Sequence, residues 1–408
     1  MTENQTKTQA FAAAHPIFDR KLKVHAYDLE FRSGFASLCE EMIRNDSPDM
    51  CEVIDLEGMV GLAKAHVVFP SRLVTMDLPV LFPPDTLIVG LEDAKADDWG
   101  LVRSCRQLSE FGYEVAASHP GAGSPGSPFL ESLSVVRIDA ATPPAEQAKL
   151  CEELWLRGIH TLADNVDGAE SFDDASKRGY RYFQGDFFRQ PAVKPGKEIP
   201  ANKVRYLQLL EEVNKPELPL DELDALIKQD VTMTFRLLRF INSAWFGLRT
   251  AITSIRHALV LLGPREVRKW ASMLVVGALG DDKPDELFRR CLIRARMAEQ
   301  VAPRVGMKRR APELFLMGMF SLVDALTDIP LARVLKGLPL SKDITLALLA
   351  QSGQFAPVYK LVASYEQGQW SAFSQAAEAS GLDESDAPAL FIAAREWADG
   401  ALLSMSNG

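Results

Sequence analysis

The chain has no long hydrophobic run: no apolar stretch approaches the roughly 18–20 residues that a membrane-spanning helix needs, so insertion into a membrane is not expected. Nor does the polar start Met1-Thr2-Glu3-Asn4-Gln5 resemble a signal peptide, and the expected location is the cytoplasm. Histidine is scarce. Of six in 408 residues, His257 alone lies beyond residue 200, so a metal centre built mainly on imidazole cannot be assembled in the second half. His257 itself reads as a helix-surface or packing residue. The five cysteines (Cys39, Cys51, Cys105, Cys151, Cys291) are odd in number and lack CxxC spacing. That excludes a disulfide framework and a zinc site and leaves buried thiols. Positive charge is short at the front. Through residue 200, 20 Lys and Arg face 31 Asp and Glu, net −11; the remainder carries 25 against 24, for a total of −10. Such an acidic front half argues against nucleic acid as a partner, because phosphate contacts need a basic surface.

A chain of 408 residues exceeds most single cores and predicts two domains. In the first half short apolar runs alternate with helical patterns: Thr86 to Leu91, Trp99 to Phe111, Tyr113 to Ala117, Leu133 to Ile138. Strand–helix alternation implies βα units and a parallel sheet. The segment is short for a (β/α)₈ barrel of about 250 residues, so a shortened or distorted barrel with missing helices is expected. Gly121 to Pro128 is a loop by composition and lacks the ending of a nucleotide-binding loop. Gln190 to Lys203, with three prolines and a glycine, reads as the link between domains. Beyond it the pattern is helical. A helix starts at Leu220 with Asp221 as N-cap, and the next shares a face through Phe235, Leu238 and Ile241 and ends at Gly247. Further helices are expected over His257–Leu262, Pro264–Leu279, Leu287–Val305 and Glu313–Thr327. No internal repeat relates the halves.

The opening His15-Pro16-Ile17-Phe18-Asp19, followed by Tyr27-Asp28-Leu29-Glu30-Phe31-Arg32, resembles the start of the EAL family, which hydrolyses cyclic di-GMP. That motif reads Q-P-I-x-D, then a hairpin strand, then [FY]-E-A-L-x-R, with the Glu holding a metal; here Asp28 stands at the Glu and Arg32 keeps the Arg. Lys64 to Phe69 is similar to the strand ending in a ligand Asn, with Val68 in its place. Leu87 to Glu92 resembles the strand carrying E-x-T-E, and Gly90 falls at its first Glu. Val115 to Gly123 resembles I-A-L-D-D-F-G-T-G, with Ser118 and His119 replacing both acids. Val136-Arg137-Ile138-Asp139 resembles the K-I-D strand, with Arg137 for Lys, and Leu162 to Asp167 resembles A-E-G-V-E, with Asp164 for Glu. Tyr182 to Phe188 looks like the closing Q-G-[YF]-x-[FY]-x-x-P, which retains Gln184. The likeness covers residues 14–191.

Two-metal phosphodiester hydrolysis needs a carboxylate cage: about six oxygens per hard cation, and ions roughly 3.5–4 Å apart. The surviving acids are Asp28, Asp139 and Asp164. Two of them, Asp28 and Asp164, are one methylene shorter than the family's Glu, which retracts the ligand oxygen by roughly 1.5 Å where metal–oxygen distances tolerate about 0.2 Å. Val68 and Gly90 offer no side-chain oxygen, and Arg137 stays protonated where a Lys can titrate. The expectation is therefore no catalytic residue, no metal and no cofactor. Residues left for ligand contact are Arg32, Asp28, Arg137, Asp139, Asp164 and Gln184, with Asp139 orienting Arg137. Arg32 paired with Asp28 or Asp164 as a structural ion pair is preferred over cyclic di-GMP binding. His66 and His119 read as core or surface histidines rather than as a metal pair.

Leu220 to Val231 with Phe235 to Gly247, and Thr253 to Gly263, resemble the HDOD family's D-P-x-L-x-x-R-L-L-x-x-A-N-S-A-x-[FY]-G and [TS]-S-[IL]-x-x-A-[IL]-x-x-L-G. This resemblance implies a helical, HD-like domain without metal ligands; the family's first His falls near Arg290 and its His-Asp pair near Ser321-Leu322. Phe315 to Asp324, Leu338 to Ser341 and Tyr365 to Trp370 extend the likeness to bacterial EAL–HDOD signalling proteins. The domains expected are 14–191, EAL-like α/β barrel; 192–203, linker; and 204–408, all-α HDOD with a C-terminal extension. Arg289, Arg290, Arg294, Arg296, Arg304, Lys308, Arg309 and Arg310 form the one basic cluster. It is a candidate docking patch for an anionic partner or nucleic acid, or else a solvated face or a surface docked on the acidic barrel, the last being preferred. The function expected is a catalytically inactive signalling adaptor acting through protein partners, with homo-oligomers allowed. The alternatives are a metal-independent cyclic di-GMP receptor and a residual cyclic di-GMP phosphodiesterase.

Overall fold

A computed structural model describes residues 10–44, 54–92, 94–95, 97–119, 127–139, 142–191, 204–215, 217–243 and 250–406. The link expected over 192–203, most of the 121–128 loop and the helix end at Gly247 lie outside them. The chain divides into two compact units. One is Met1–Gln190 with Tyr365–Trp370, the other Pro191–Ser364 with Ser371–Gly408.

Eight strands close the first unit into a barrel in chain order. They are β1 (Ala12–Asp19), β2 (Val24–Phe31), β3 (Lys64–Pro70), β4 (Leu87–Glu92), β5 (Glu114–Ser118), β6 (Val135–Ile138), β7 (His160–Ala163) and β8 (Tyr182–Gln184). β1 runs antiparallel to β2 and to β8, and every other pairing is parallel. The β1–β2 turn needs no helix: the Asp19 carboxylate accepts from the backbone N–H groups of Lys21 (2.7 Å) and Lys23 (3.0 Å). The expected shortening is real. Among the described residues no α-helix stands between β5 and β6, and α1 (Phe35–Arg44) and the helices Trp99–Glu110, Pro144–Trp155 and Ala169–Arg178 cover the outside. Asp98 caps Trp99–Glu110 by accepting from Leu101 N, and Gly179, at φ 103, ends Ala169–Arg178 in the left-handed region open to glycine.

Strand alternation sorts the barrel interior into layers. Ile17, Ala26, Ile88, Ala116, Val135, Leu162 and Tyr182 form a buried apolar floor. Two residues further along their strands come Asp28, Gly90, Ser118, Arg137, Asp164 and Gln184, which therefore rise together toward the C-terminal mouth where a barrel of parallel strands carries its sites. The segment Tyr365–Trp370 completes this unit: the Phe11 ring meets Tyr365 at 6.4 Å and Trp370 edge-on at 6.5 Å, and Tyr365 is buried.

The second unit is helical throughout its described length. Asp221 is not the N-cap expected; Pro219 precedes Leu220–Lys228, and Asp221 sits in the first turn, where its charge favours the helix dipole. In Val231–Ile241 the buried face is Met233, Leu237, Phe240 and Ile241, while Phe235 is exposed. Two overlapping stripes of 3–4 spacing exist in this sequence, and packing selects the other one. Ile255–Leu279 breaks at Gly263 (φ 71, ψ 169), just before Pro264, as the pair of expected helices requires. The helix expected over Glu313–Thr327 is instead Ala311–Phe320 and Val323–Thr327, parted at Ser321-Leu322.

Candidate functional site

Four of the residues singled out in the sequence meet at the barrel mouth. Arg137 Nη2 donates to Asp28 Oδ2 (3.0 Å) and to Gln184 Oε1 (2.9 Å), and Gln184 Nε2 donates to the same Asp28 oxygen (2.9 Å). Arg137 Nη1 lies 3.4 Å from Asp164 Oδ2. The guanidinium thus stands between the two acids. Asp28's other oxygen accepts from His66 Nδ1 at 2.6 Å. Burial alone would raise the Asp28 carboxyl, but His66 and Arg137, with the Gln184 hydrogen bond, hold it far below the usual carboxylate range. Burial would likewise lower Arg137, yet the charges of Asp28 and Asp164 push it upward.

His66 is the member the sequence did not reveal as part of this site. Register explains it: β2 and β3 run parallel with Asp28 beside His66, a non-local pairing, whereas the one local cue is that His66 shares inward parity with Val68. Gly90 is what makes room. A Cβ there would lie 2.6 Å from His66 Nε2 and 2.9 Å from Cε1. So the glycine at the first Glu position of the E-x-T-E strand seats an imidazole. Below and beside these groups a cavity of about 410 Å³ is lined by Ile88, Ala116, Val135 and Leu162, with His66, Ser118, His119 and Arg137 supplying polar groups.

The remaining expectations fare differently. Arg32 lies exposed past the end of β2, its guanidinium 5.2 Å from the Phe11 ring centroid; the ion pairs described for Asp28 and Asp164 come from Arg137 and His66 instead. Asp139 is exposed beyond β6, and Arg137 is oriented by Asp28, Asp164 and Gln184. His257 is exposed on its helix. The basic cluster is not one surface. Arg290 and Arg294 are buried, Arg290 donating to Glu286 (3.2 Å) and Arg294 to Ser321 Oγ (3.3 Å), because their helix Asp285–Val301 packs on Ala311–Phe320. Arg289 pairs with Asp399, Arg296 with Glu299, Arg304 with Asp386, and Arg310 with Glu313 and Asp343, leaving Lys308 and Arg309 exposed.

The donors at the mouth do not fit a two-cation cage. A guanidinium already fills the space between Asp28 and Asp164, both Asp28 oxygens are engaged, and Val68 and Gly90 offer nothing. Among the described residues no three His, Cys, Asp or Glu side chains converge.

Residues 199–338 match the HDOD domain family. The chain carries an HDOD domain behind an EAL-like barrel. A Vibrio cholerae protein named cyclic di-GMP phosphodiesterase CdgJ is 27% identical over 405 residues, 96% of this chain and 93% of its own. The uncharacterized Bacillus subtilis protein YuxH is 27% identical over 403 residues, 95% of this chain and 98% of its own. Among solved structures, a calcium and cyclic di-GMP complex of Klebsiella pneumoniae BlrP1 is 17% identical with a TM-score of 0.36, over 45% of this chain and 56% of that one. The Vibrio relative, similar through both the barrel and the HDOD domain, corrects two expectations: that the barrel is catalytically dead and that the chain is an inactive adaptor.

No helix among the described residues is long and apolar enough to cross a membrane.

Proposed function

We propose that the chain is a cyclic di-GMP phosphodiesterase of the cytoplasm, its barrel of residues 14–191 cleaving the dinucleotide and its HDOD domain, within 204–408, engaging signalling partners. Likeness to CdgJ along 96% of the chain carries this proposal. The cavity supports it: about 410 Å³ lies within the span of small-molecule sites, and an apolar floor with Arg137, His66 and His119 suits a planar base and an anionic phosphate. Asp28, Asp164 and Gln184 fix Arg137 for that role.

The test is turnover. Purified full-length protein is incubated with cyclic di-GMP in Mg²⁺, in Mn²⁺ and in excess EDTA, and products are separated by chromatography. Linear dinucleotide above the blank in any of the three is the expected result. Its absence from all three, with calorimetric binding intact, refutes the phosphodiesterase and leaves a receptor.

A further inference from the structure

Among the described residues the barrel mouth holds no metal cage, yet it holds a paired acid and imidazole. We infer that His66 is a general base for metal-free cleavage of a ribonucleotide phosphodiester, with the neighbouring 2′-hydroxyl of the substrate as nucleophile. This rests on the phosphodiesterase proposed above and names the chemistry of that site.

Geometry carries the inference. A carboxylate can only accept, so the 2.6 Å contact to Asp28 Oδ1 puts the proton of a neutral imidazole on His66 Nδ1 and leaves a lone pair on Nε2. Among the described residues no hydrogen bond reaches Nε2. His66 is 4% exposed, yet it lines the cavity, and at Gly90 there is no side chain to crowd Nε2. Asp28 is itself locked by Arg137 and Gln184, so it acts as a positioning residue for the imidazole. Arg137, Ser118 and His119 line the same cavity and supply donors for phosphate oxygens.

A bound divalent ion would lower the pKa of water from 15.7 to about 7. Without one, water is a poor nucleophile, and a tethered group gains most, since intramolecular attack reaches effective molarities of about 10⁵–10⁸ M. Cyclic di-GMP carries such a group, a ribose 2′-hydroxyl beside each phosphodiester. In the step inferred, His66 Nε2 takes the 2′-hydroxyl proton, the O2′–P bond forms and the P–O5′ bond breaks. The departing 5′ oxygen takes a proton from solvent, and His66 later returns its own to water. The product is a linear dinucleotide with a 5′-hydroxyl and a 2′,3′-cyclic phosphate, an isomer of the substrate. No water, metal or redox partner is consumed.

The experiment uses the full chain in EDTA. Expected are a product of unchanged mass but altered retention, no cleavage of the 2′-deoxy analogue despite its binding, and a fall of about 10²-fold or more in His66→Ala. Added imidazole should restore part of that activity, which a purely structural role would not allow. Asp28→Asn should lower kcat with little change in KM. A product carrying a terminal phosphate monoester, or activity abolished by EDTA, overturns the inference while leaving the phosphodiesterase standing. Cleavage of the 2′-deoxy analogue overturns it as well. No cleavage under any condition overturns both.

Discussion

Gly90→Ala adds one methyl group at the point where the barrel has exchanged a carboxylate for an imidazole. The new Cβ would sit 2.6 Å from His66 Nε2, 2.9 Å from Cε1 and 3.2 Å from the Val67 carbonyl oxygen, against an optimal separation of roughly 3.5–4.0 Å between carbon atoms. His66 must retreat by about 1 Å on that scale, yet the residue is 4% exposed and its ring is held at 2.6 Å by Asp28. Overpacking of this kind costs about 1–3 kcal/mol. Taking about 2 kcal/mol, a unit of 150–250 residues should melt some 4–8 °C lower. The cycle with His66→Ala isolates the cause. Once the imidazole is gone, the same methyl enters vacated space and should cost no more than about 0.5 kcal/mol, giving a coupling of about 1.5 kcal/mol between adjacent strands. Differential scanning calorimetry on the four proteins measures it, with the barrel transition assigned by hydrogen exchange on β3 and β4 peptides, because two compact units need not unfold together. Equal penalties in both backgrounds would show that Gly90 is not there to seat His66.

At the other end of the barrel Glu114 faces His25, 3.6 Å from one oxygen, and Lys64, which donates to the other at 2.8 Å; together they hold the carboxyl down to about 2. A depressed carboxyl stabilises above its unfolded pKa, so up to about 3 kcal/mol should be lost as pH falls from about 4.5 to about 2, and Glu114→Gln should flatten that part of an acid-unfolding curve. In the helical unit a Cβ on Gly318 would lie 2.5 Å from the backbone of Ala295. Gly318→Ala must therefore push apart the helices Asp285–Val301 and Ala311–Phe320, lowering urea stability by about 3 kcal/mol; a neutral result would mean that the helices do not touch there.

Patterns local in sequence translated well into structure. The short apolar runs Thr86 to Leu91, Tyr113 to Ala117 and Leu133 to Ile138 hold β4, β5 and β6, and the Gly-Pro step at 263–264 breaks two helices apart. The emptied ligand positions were equally plain, since Val68 and Gly90 have no donor whatever their surroundings. What escaped was set by partners distant in the chain. His66 gains its role from parallel register with Asp28, and Phe235 loses a place in the core to Leu237 because of what packs on that helix. Arg290 and Arg294 read as surface charge in the sequence, yet they are buried beside Glu286 and Ser321. The expectation of a dead barrel rests on missing cation ligands alone, and the likeness to the Vibrio relative speaks against it.

The six residues Tyr365–Trp370 give the barrel a finishing piece made long after its last strand. Phe11, just ahead of β1, is made about 350 residues before Tyr365 and Trp370, so that ring waits for its aromatic neighbours while the intervening chain is synthesised. A gene fragment stopped after β8 would encode every strand and still yield an apolar surface stripped of its cover, prone to stick to other chains.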